Sequence, residues 1–533
     1  MPHIGSNITA VRSSRLRSVA AALGALFATA AGAAPSDNLN IVRDLAGRIG
    51  PIVGSALACP DVARPRIQSI VDKFQTVIRA NASNEAERDE LSRLLDRYVV
   101  DGRNALTAGR TNCRTAERQL ADLEQSLPGK SPSLISAIGP TPAAASTAPT
   151  APLPRAALAS TSRGVTANEI RFGIVGPFSG PAKELGRQMK LGIDTAFNQV
   201  NDAGGVEGRM LRLTSADDGY EPTRTLEAMK QLYEKDQVFG YIGNVGTPTA
   251  AVAVPYALER RTLFFGAFTG ANVIRNDPPD RYVFNYRAGY AEETDAAVRY
   301  LTKLRRLQPR QIAVFAQQDA YGDAGFAGVS KAFRSLGLND ASILRLNYKR
   351  NTVDVDEAVN QLKAQKGVIK AVVMVATYRA AAKFIEKTRD VFPGMVYTNV
   401  SFVGSTALAD ELMLLGPRFA SGVIVTQVVP AVGGYSSAVL EYKNALAKYF
   451  PGESPDYVSL EGYVAANVLI QALKRTGPQL DTESLVDVLE NTHNLDLGLG
   501  TSLNFGRAEH QASHKIWGTT IDESGRYRSL ELE

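Results

Sequence analysis

A chain that alternates short apolar runs with amphipathic stripes has few ways to bury both, and from Asn168 onward this sequence follows that pattern. Ile170 to Gly176 reads as a strand, and Leu185, Met189, Ile193, Ala196, Phe197 and Val200 form one stripe of the helix after it. Asn201-Asp-Ala-Gly204-Gly205 stops that helix, and Met210 to Thr214 resumes a strand. Further strands are expected at 238–242, 263–265, 311–315, 343–346, 371–375, 396–402 and 423–426, with helices between them. Parallel strands joined by crossover helices are covered on both faces, so the expected fold class is α/β with doubly wound parallel sheets. The strands are too many for one sheet, and about 365 residues divide more readily into two lobes with a ligand cleft between them.

The first third of the chain has a different character. Ile67, Ile70, Val71, Phe74, Val77 and Ile78 recur at helical spacing, a second helix is expected from Asn84 through Leu91, Leu94, Leu95 and Tyr98, and a third from Thr111 to Leu127. Ser83 or Asn84 would cap the second, with Glu85 and Glu87 in its first turn. These mark a small α-helical domain over 35–130. Its polar face mixes both charge signs, so nothing in it points to nucleic acid. From Ser131 to Arg163, Pro, Ala, Ser and Thr dominate and only Arg155 and Arg163 are charged, which defines a linker, taken as 131–167, that cannot form a core.

Residues 1–34 carry Arg12, Arg15 and Arg17 and no acid, an apolar run from Val19 to Ala31, and small residues Ala31-Gly-Ala33-Ala34. They read as a secretory signal peptide. The run of 13 residues is shorter than the roughly 20 a transmembrane helix needs. Removing the segment takes the formal net charge from +5 to +2, so the basic balance is largely a targeting feature. An exported, periplasmic protein that does not span the membrane is expected. In that oxidising setting Cys59 and Cys113, the two cysteines of the chain, are expected to form a disulfide, the alternative being two buried thiols.

Two successive strand ends carry the functional signal. Gln237 to Thr249 and Leu263 to Gly270 each run from apolar residues into small, hydroxyl-bearing ones. Thr247 is expected to cap a helix whose first residue is Pro248, which would offer a hydroxyl, free N–H groups and the positive helix end to a carboxylate. Catalytic sets are missing by comparison. His493, His510 and His514 are the histidines beyond the signal segment, and no cysteine clusters with them, so no metal site is expected. Gly173-Ile-Val-Gly176-Pro-Phe-Ser-Gly180 lacks the lysine and the spacing of a nucleotide loop, and the pairs Asp217-Asp218 and Glu292-Glu293 have no partner site. A non-enzymatic protein without a cofactor is expected.

Ile170 to Gly180, Asn201 to Arg209, Asp217-Asp218, Gln237 to Thr249, Phe264 to Gly270, Ala320-Tyr321-Gly322 and Leu460 to Tyr463 together resemble the type I periplasmic binding proteins of the leucine/isoleucine/valine-binding group, over nearly all of 168–533. The resemblance implies a Venus-flytrap protein that closes two lobes on an amino acid or related small carboxylate and presents it to an ABC permease in the inner membrane. It implies lobes of about 168–288 with 428–505 and 289–427 with 506–533, joined by three hinge crossings. It places the hydroxyl of Thr247 on the ligand carboxylate and Ala267 and Thr269 in the next contact loop. Tyr321 would cover the ligand from the second lobe, with Tyr290, Tyr378 and Phe402 as walls. Ser179, Gly246 and Thr377 complete the expected ligand set.

The sequence departs from the family where an acidic residue would hold a ligand ammonium: Val403 stands there. Glu293, Asp319 or Glu461 could substitute, and a carboxylate ligand without an amine stays open. A different reading makes the fold a non-transport envelope scaffold or a ligand-sensing adaptor that binds a protein partner. The helical domain and linker resemble, in architecture, envelope activators of cell-wall synthases. A filled or closed cleft would favour that reading. The partner of the helical domain is not readable from the sequence.

Overall fold

The computed structural model describes residues 35–59, 62–82, 85–107, 111–126, 162–340 and 343–532. The expected signal segment, the capping residues Ser83 and Asn84 and most of the linker lie outside them. The chain divides into two compact units, Met1–Pro149 and Thr150–Glu533.

The first unit contains the helices Pro35–Leu57, Arg64–Asn81, Glu85–Thr107 and Cys113–Ser126. Val42, Ile49, Val53, Ile70, Phe74, Leu91, Leu95, Leu120 and Leu123 fill its core. The first of these helices is additional to the three expected, because Pro51 and the glycines at 47, 50 and 54 interrupt its apolar stripe. Those same residues let the backbones touch: a Cβ on Gly54 would stand 1.9 Å from the Val99 carbonyl oxygen, and one on Gly102 would stand 2.2 Å from that of Pro51. Cys59 and Cys113 are bridged, with Cα atoms 5.5 Å apart, and tie the end of the first helix to the start of the fourth.

The second unit is built on two sheets. Strands β1 (Glu169–Gly176), β2 (Met210–Asp217), β3 (Gly240–Ile242), β4 (Leu263–Phe265) and β5 (Val283–Phe284) form a parallel sheet in the order β2-β1-β3-β4-β5. Strands β6 (Ile312–Gln317), β7 (Leu344–Tyr348), β8 (Ala371–Val375), β9 (Val396–Asn399), β10 (Ile424–Gln427), β11 (Trp517–Ile521) and β12 (Tyr527–Leu530) form the second, in the order β12-β11-β10-β9-β8-β6-β7, with β11 and β12 antiparallel. Strand order reverses beside β1 in one sheet and beside β6 in the other, the positions where such sheets open a crevice at their carboxyl ends. The strand expected over 396–402 stops at Asn399. Ser401–Val403 is a 3₁₀ turn, closed by Gly404 at φ +81°, a conformation that suits glycine.

The chain passes between the sheets three times, after β5, after β10 and before β11. Between the second and third passages, helix Tyr457–Thr476 lies against Lys183–Asp202 of the first lobe. The two cross where a Cβ on Gly192 would stand 1.8 Å from the Ser459 carbonyl oxygen and one on Gly462 would stand 2.5 Å from that of Met189. The return to the second lobe comes later than residue 505. The Asn285 N–H donates to the His510 carbonyl at 2.7 Å, the Ala512 N–H donates to the Asn285 carbonyl at 2.8 Å, and the His510 ring stacks on Phe284 at 3.8 Å. These contacts keep 506–512 with the first sheet.

Candidate functional site

The carboxyl ends of β3 and β4 bring two threonines together. Gly246, at φ +110°, holds the helix-capping position, and its N–H donates to the Phe268 carbonyl at 3.1 Å. Thr247 is therefore already in the first turn and makes no side-chain cap, contrary to expectation. Its hydroxyl instead meets that of Thr269 at 2.6 Å, and both residues are buried. The Ala271 N–H donates to the Thr269 hydroxyl oxygen at 3.3 Å. Tyr290 opens the helix Tyr290–Arg299, and its buried hydroxyl has no hydrogen-bond partner. Burial raises the pKa of that hydroxyl, while Arg287 and the nearby hydroxyls of Thr269 and Thr247 pull it back.

Aromatic rings from both lobes meet over these hydroxyls. Phe402 stacks on Phe268 with centroids 4.9 Å apart and lies 4.7 Å from the Tyr321 ring. Tyr290 is 5.3 Å from Tyr321, and Tyr220 is 6.1 Å from Phe402. The Tyr321 hydroxyl donates to the Ala376 carbonyl at 3.3 Å, so its polar end points into the second lobe.

The other expected contacts sit apart from this cluster. The Ser179 hydroxyl, on the exposed rim, donates to Asp217 at 2.5 Å. The Ala267 side chain belongs to the apolar cluster that includes Met229 and Tyr241. The Thr377 N–H donates to the Tyr348 hydroxyl at 3.0 Å. Tyr378 lies against Gly404, where a Cβ would come within 2.6 Å of Leu185 from the first lobe.

A buried ionic network supports the cluster. Arg287 donates through Nη2 to Glu293 at 2.6 Å and to the Ser401 hydroxyl, and its Nη1 lies 3.4 Å from Glu461. Glu293 also accepts from the Ser401 N–H at 2.7 Å, the Ser401 hydroxyl at 3.0 Å and the Thr426 hydroxyl at 2.6 Å. Arg275 donates to the carbonyls of Thr269, Ala271 and Arg287 at 3.2, 3.1 and 2.9 Å. Burial opposes the charge on Arg287, but Glu461 and Glu293 outweigh it and leave the guanidinium pKa above its usual value. Arg275 is lowered to about 10 by burial and by Arg287. Burial pushes the Glu461 carboxyl up to about 7, with Glu293 adding and Arg287 and Arg275 opposing.

A second set of contacts clasps the lobes. Arg350 donates to Glu221 at 2.9 Å and to Asp319 at 2.8 Å, and Asn351 donates to Glu221 at 2.6 Å. Gln317 donates to the Tyr220 hydroxyl at 3.2 Å. A groove of about 900 Å³ lies elsewhere, between helices Tyr290–Arg299 and Ala320–Ser335 and the β11–β12 hairpin. That groove contains none of the converging hydroxyls of Thr247, Thr269 and Tyr290. The His510 Nδ1–H donates to the Val283 carbonyl at 2.9 Å, and His514 pairs with Glu292 at 2.6 Å. Sequence reasoning missed Tyr220, Phe268, Arg275 and Arg287. The signal for Arg287 was faint: an arginine between Tyr286 and Tyr290, near the end of the expected first-lobe span of about 168–288.

Two doubly wound lobes, three crossings and a hydroxyl-lined junction define a hinged solute-binding protein. A family model described as "Periplasmic binding protein" matches residues 169–526, and the chain belongs to that family, in its type I Leu/Ile/Val-binding branch. Its members bind solutes and are not enzymes. The Leu/Ile/Val-binding protein homolog 3 of Brucella melitensis is 25% identical over 340 residues, covering 62% of this chain and 86% of that protein. The crystal structure of a possible leucine/isoleucine/valine-binding protein from Rhodopirellula baltica SH 1 is 38% identical, with a TM-score of 0.65 over 68% of this chain and 97% of that one. A branched-chain amino acid ABC transporter protein from Thermus thermophilus with bound valine, 16% identical over 68% of this chain and 95% of that one, shares the fold at a TM-score of 0.59. Among the described residues no helix is long and apolar enough to cross a membrane, and no group of three His, Cys, Asp or Glu is placed to hold a metal ion.

Proposed function

We propose that this chain is the periplasmic substrate-binding component of an ABC importer, closing its lobes on a small carboxylate or amino acid and presenting it to an inner-membrane permease. The observation that carries the reading is the convergence of the Thr247, Thr269 and Tyr290 hydroxyls where the lobes meet. The Thr247 and Thr269 hydroxyls share one hydrogen bond, so one of their two protons is used within the pair and the other is left over. That remaining threonine proton and the Tyr290 hydroxyl beside it are available to a ligand oxygen. Hinge opening separates Phe402 from Phe268, and closure brings the rings of both lobes against the apolar body of the ligand. The names borne by the relatives support this reading.

The test is thermal unfolding of the exported chain, stripped of carried-over ligand by partial unfolding and dialysis, against amino acids and small carboxylates. A ligand at 100 times its Kd adds about 2.7 kcal/mol of stability. Thr247→Val removes a charge-assisted hydrogen bond worth about 1.5–3 kcal/mol, so binding should weaken by at least about tenfold. The contact of Phe402 with Phe268 also suits a protein-binding scaffold or sensing adaptor. A folded protein that none of these compounds stabilises would favour that second reading.

A further inference from the structure

We infer that the second lobe carries a further ligand site, for a small molecule with an oxyanion head and a short apolar body, in a pocket of about 340 Å³ lined by Arg305 and Arg389. The inference is independent of the receptor reading, since Thr247, Thr269, Tyr290 and Phe402 do not line this pocket.

The pocket forms where several segments end side by side. Tyr300–Leu304 prolongs helix Tyr290–Arg299 as a π turn and delivers Arg305. Helix Tyr378–Thr388 delivers Arg389, and Pro393 and Gly394 then turn the chain into β9. Val396 and Ile424, the first residues of β9 and β10, add the ends of the sheet. Both strands run from here toward the lobe junction, where the Ser401 and Thr426 hydroxyls bond Glu293.

Charge points to the ligand. Among the described residues no Asp or Glu lines the pocket. Arg389 is half-buried, and its Nη2 donates to the Phe419 and Ser421 carbonyls at 3.1 Å each. Its guanidinium lies 4.8 Å from the Tyr397 centroid, and its buried Nε has no hydrogen-bond partner. Burial lowers the pKa of this group, and Tyr397 offsets part of that with no carboxylate contributing. The acids of the adjoining helices pair elsewhere: Asp390 with Arg418 at 3.0 Å, Glu386 with Lys383 at 2.5 Å and Asp295 with Arg299 at 2.6 Å. Arg305 is exposed and adds a second positive charge to the lining.

A partly desolvated guanidinium without a counter-charge is costly, and its planar fork matches the oxygens of a carboxylate or phosphate. The two carbonyls and the Tyr397 ring hold Arg389 in place, so an oxyanion meets a fixed partner and less ordering is needed on binding. Pro393, Met395, Ile424 and Leu530 supply apolar surface for the rest of the molecule. The volume is at the small end of the roughly 300–1,000 Å³ of ligand pockets, which limits the body to about a single ring or a short alkyl chain.

The experiment is isothermal titration of the stripped full exported chain, in chloride-free buffer, with inorganic phosphate, phenyl phosphate and benzoate. Phenyl phosphate or benzoate should bind more tightly than inorganic phosphate, and the tighter of the two identifies the head as phosphate or carboxylate. Arg305→Ala, at an exposed position, should weaken that binding about fivefold with an unchanged Tm. Arg389→Lys, which keeps the charge and loses the fork, should weaken it about tenfold, and Thr247→Val should leave it unchanged. Failure of all three compounds to bind folded protein overturns the inference. So does binding that Thr247→Val removes and Arg305→Ala leaves intact, a result that puts the compound at the lobe junction and leaves the receptor reading standing.

Discussion

Replacing Glu461 by Gln should change how stability depends on pH, by an amount the structure sets. Glu461 is 3% exposed on helix Tyr457–Thr476, and burial lifts its carboxyl from 4.5 to about 7, Glu293 adding to the rise and Arg287 and Arg275 opposing it. Below pH 4.5 the group is protonated in both folded and unfolded chains. Between 4.5 and about 7 the unfolded chain ionises while the folded one does not, so stability falls as pH rises through that window and then levels. At 1.36 kcal/mol for each pH unit, the loss is about 3 kcal/mol. The amide introduced by Glu461→Gln cannot titrate, and its altered contact with Arg287 gives an offset independent of pH. The stability of Glu461→Gln relative to the native protein should therefore rise by about 3 kcal/mol from about pH 4.5 to about pH 8. For a unit of roughly 370 residues this is about 4 °C in Tm. Asp218, which burial raises to about 6, and His514 titrate in both proteins and cancel in the difference. Thermal or urea denaturation of the two proteins across that range is the assay, and a difference flat in pH would refute the assignment.

Three further outcomes are expected. Reducing Cys59–Cys113 opens a loop spanning 54 residues, worth about 4 kcal/mol of chain entropy; in a denaturation scan with and without reductant, the transition of the helical unit should move down and that of the larger unit should stay. Arg350→Ala removes contacts whose side chains are 22% and 38% exposed in the pair with Glu221, each worth under about 1 kcal/mol. Ligand affinity should weaken by no more than about fivefold while small-angle scattering shows a more open ligand-free protein. Gly246→Ala places a Cβ 2.4 Å from the Tyr220 ring at φ +110°, a strain of about 1–3 kcal/mol, and a Tm equal to that of the native protein would contradict the close approach.

The parallel strands were legible because each is covered on both faces and reads as an unbroken apolar run, as in Ile312–Gln317 and Ala371–Val375. Strand β5 has two residues, and β11 and β12 pair antiparallel at a half-exposed edge, so neither leaves a comparable run. The apolar residues Val400, Phe402 and Val403 lengthened the expected strand over 396–402 because a buried 3₁₀ turn needs them as much as a strand does. At the site, Thr247 and Thr269 stood out as hydroxyls at strand ends. Arg287 did not, since an isolated arginine reads as a surface residue, and its burial depends on Glu293 and Glu461, 6 and 174 positions away in the chain. The capping role expected of Thr247 failed because Gly246 can adopt a backbone conformation that takes the position first.

The guanidinium of Arg287 is shared between Glu461 on the first lobe's helix and Glu293 with Ser401 on the second. Pulling the lobes straight apart would take from that buried cation one of its two carboxylates, a cost of up to about 3–5 kcal/mol. The clasp of Arg350 on Glu221 is partly exposed and far easier to release. Arg287 is therefore placed as a swivel pin is between two plates. An opening that keeps both contacts would be a rotation about Arg287, and under the proposed receptor role the angle between the lobes would then be a single coordinate by which an occupied cleft is told from an empty one at the outer surface.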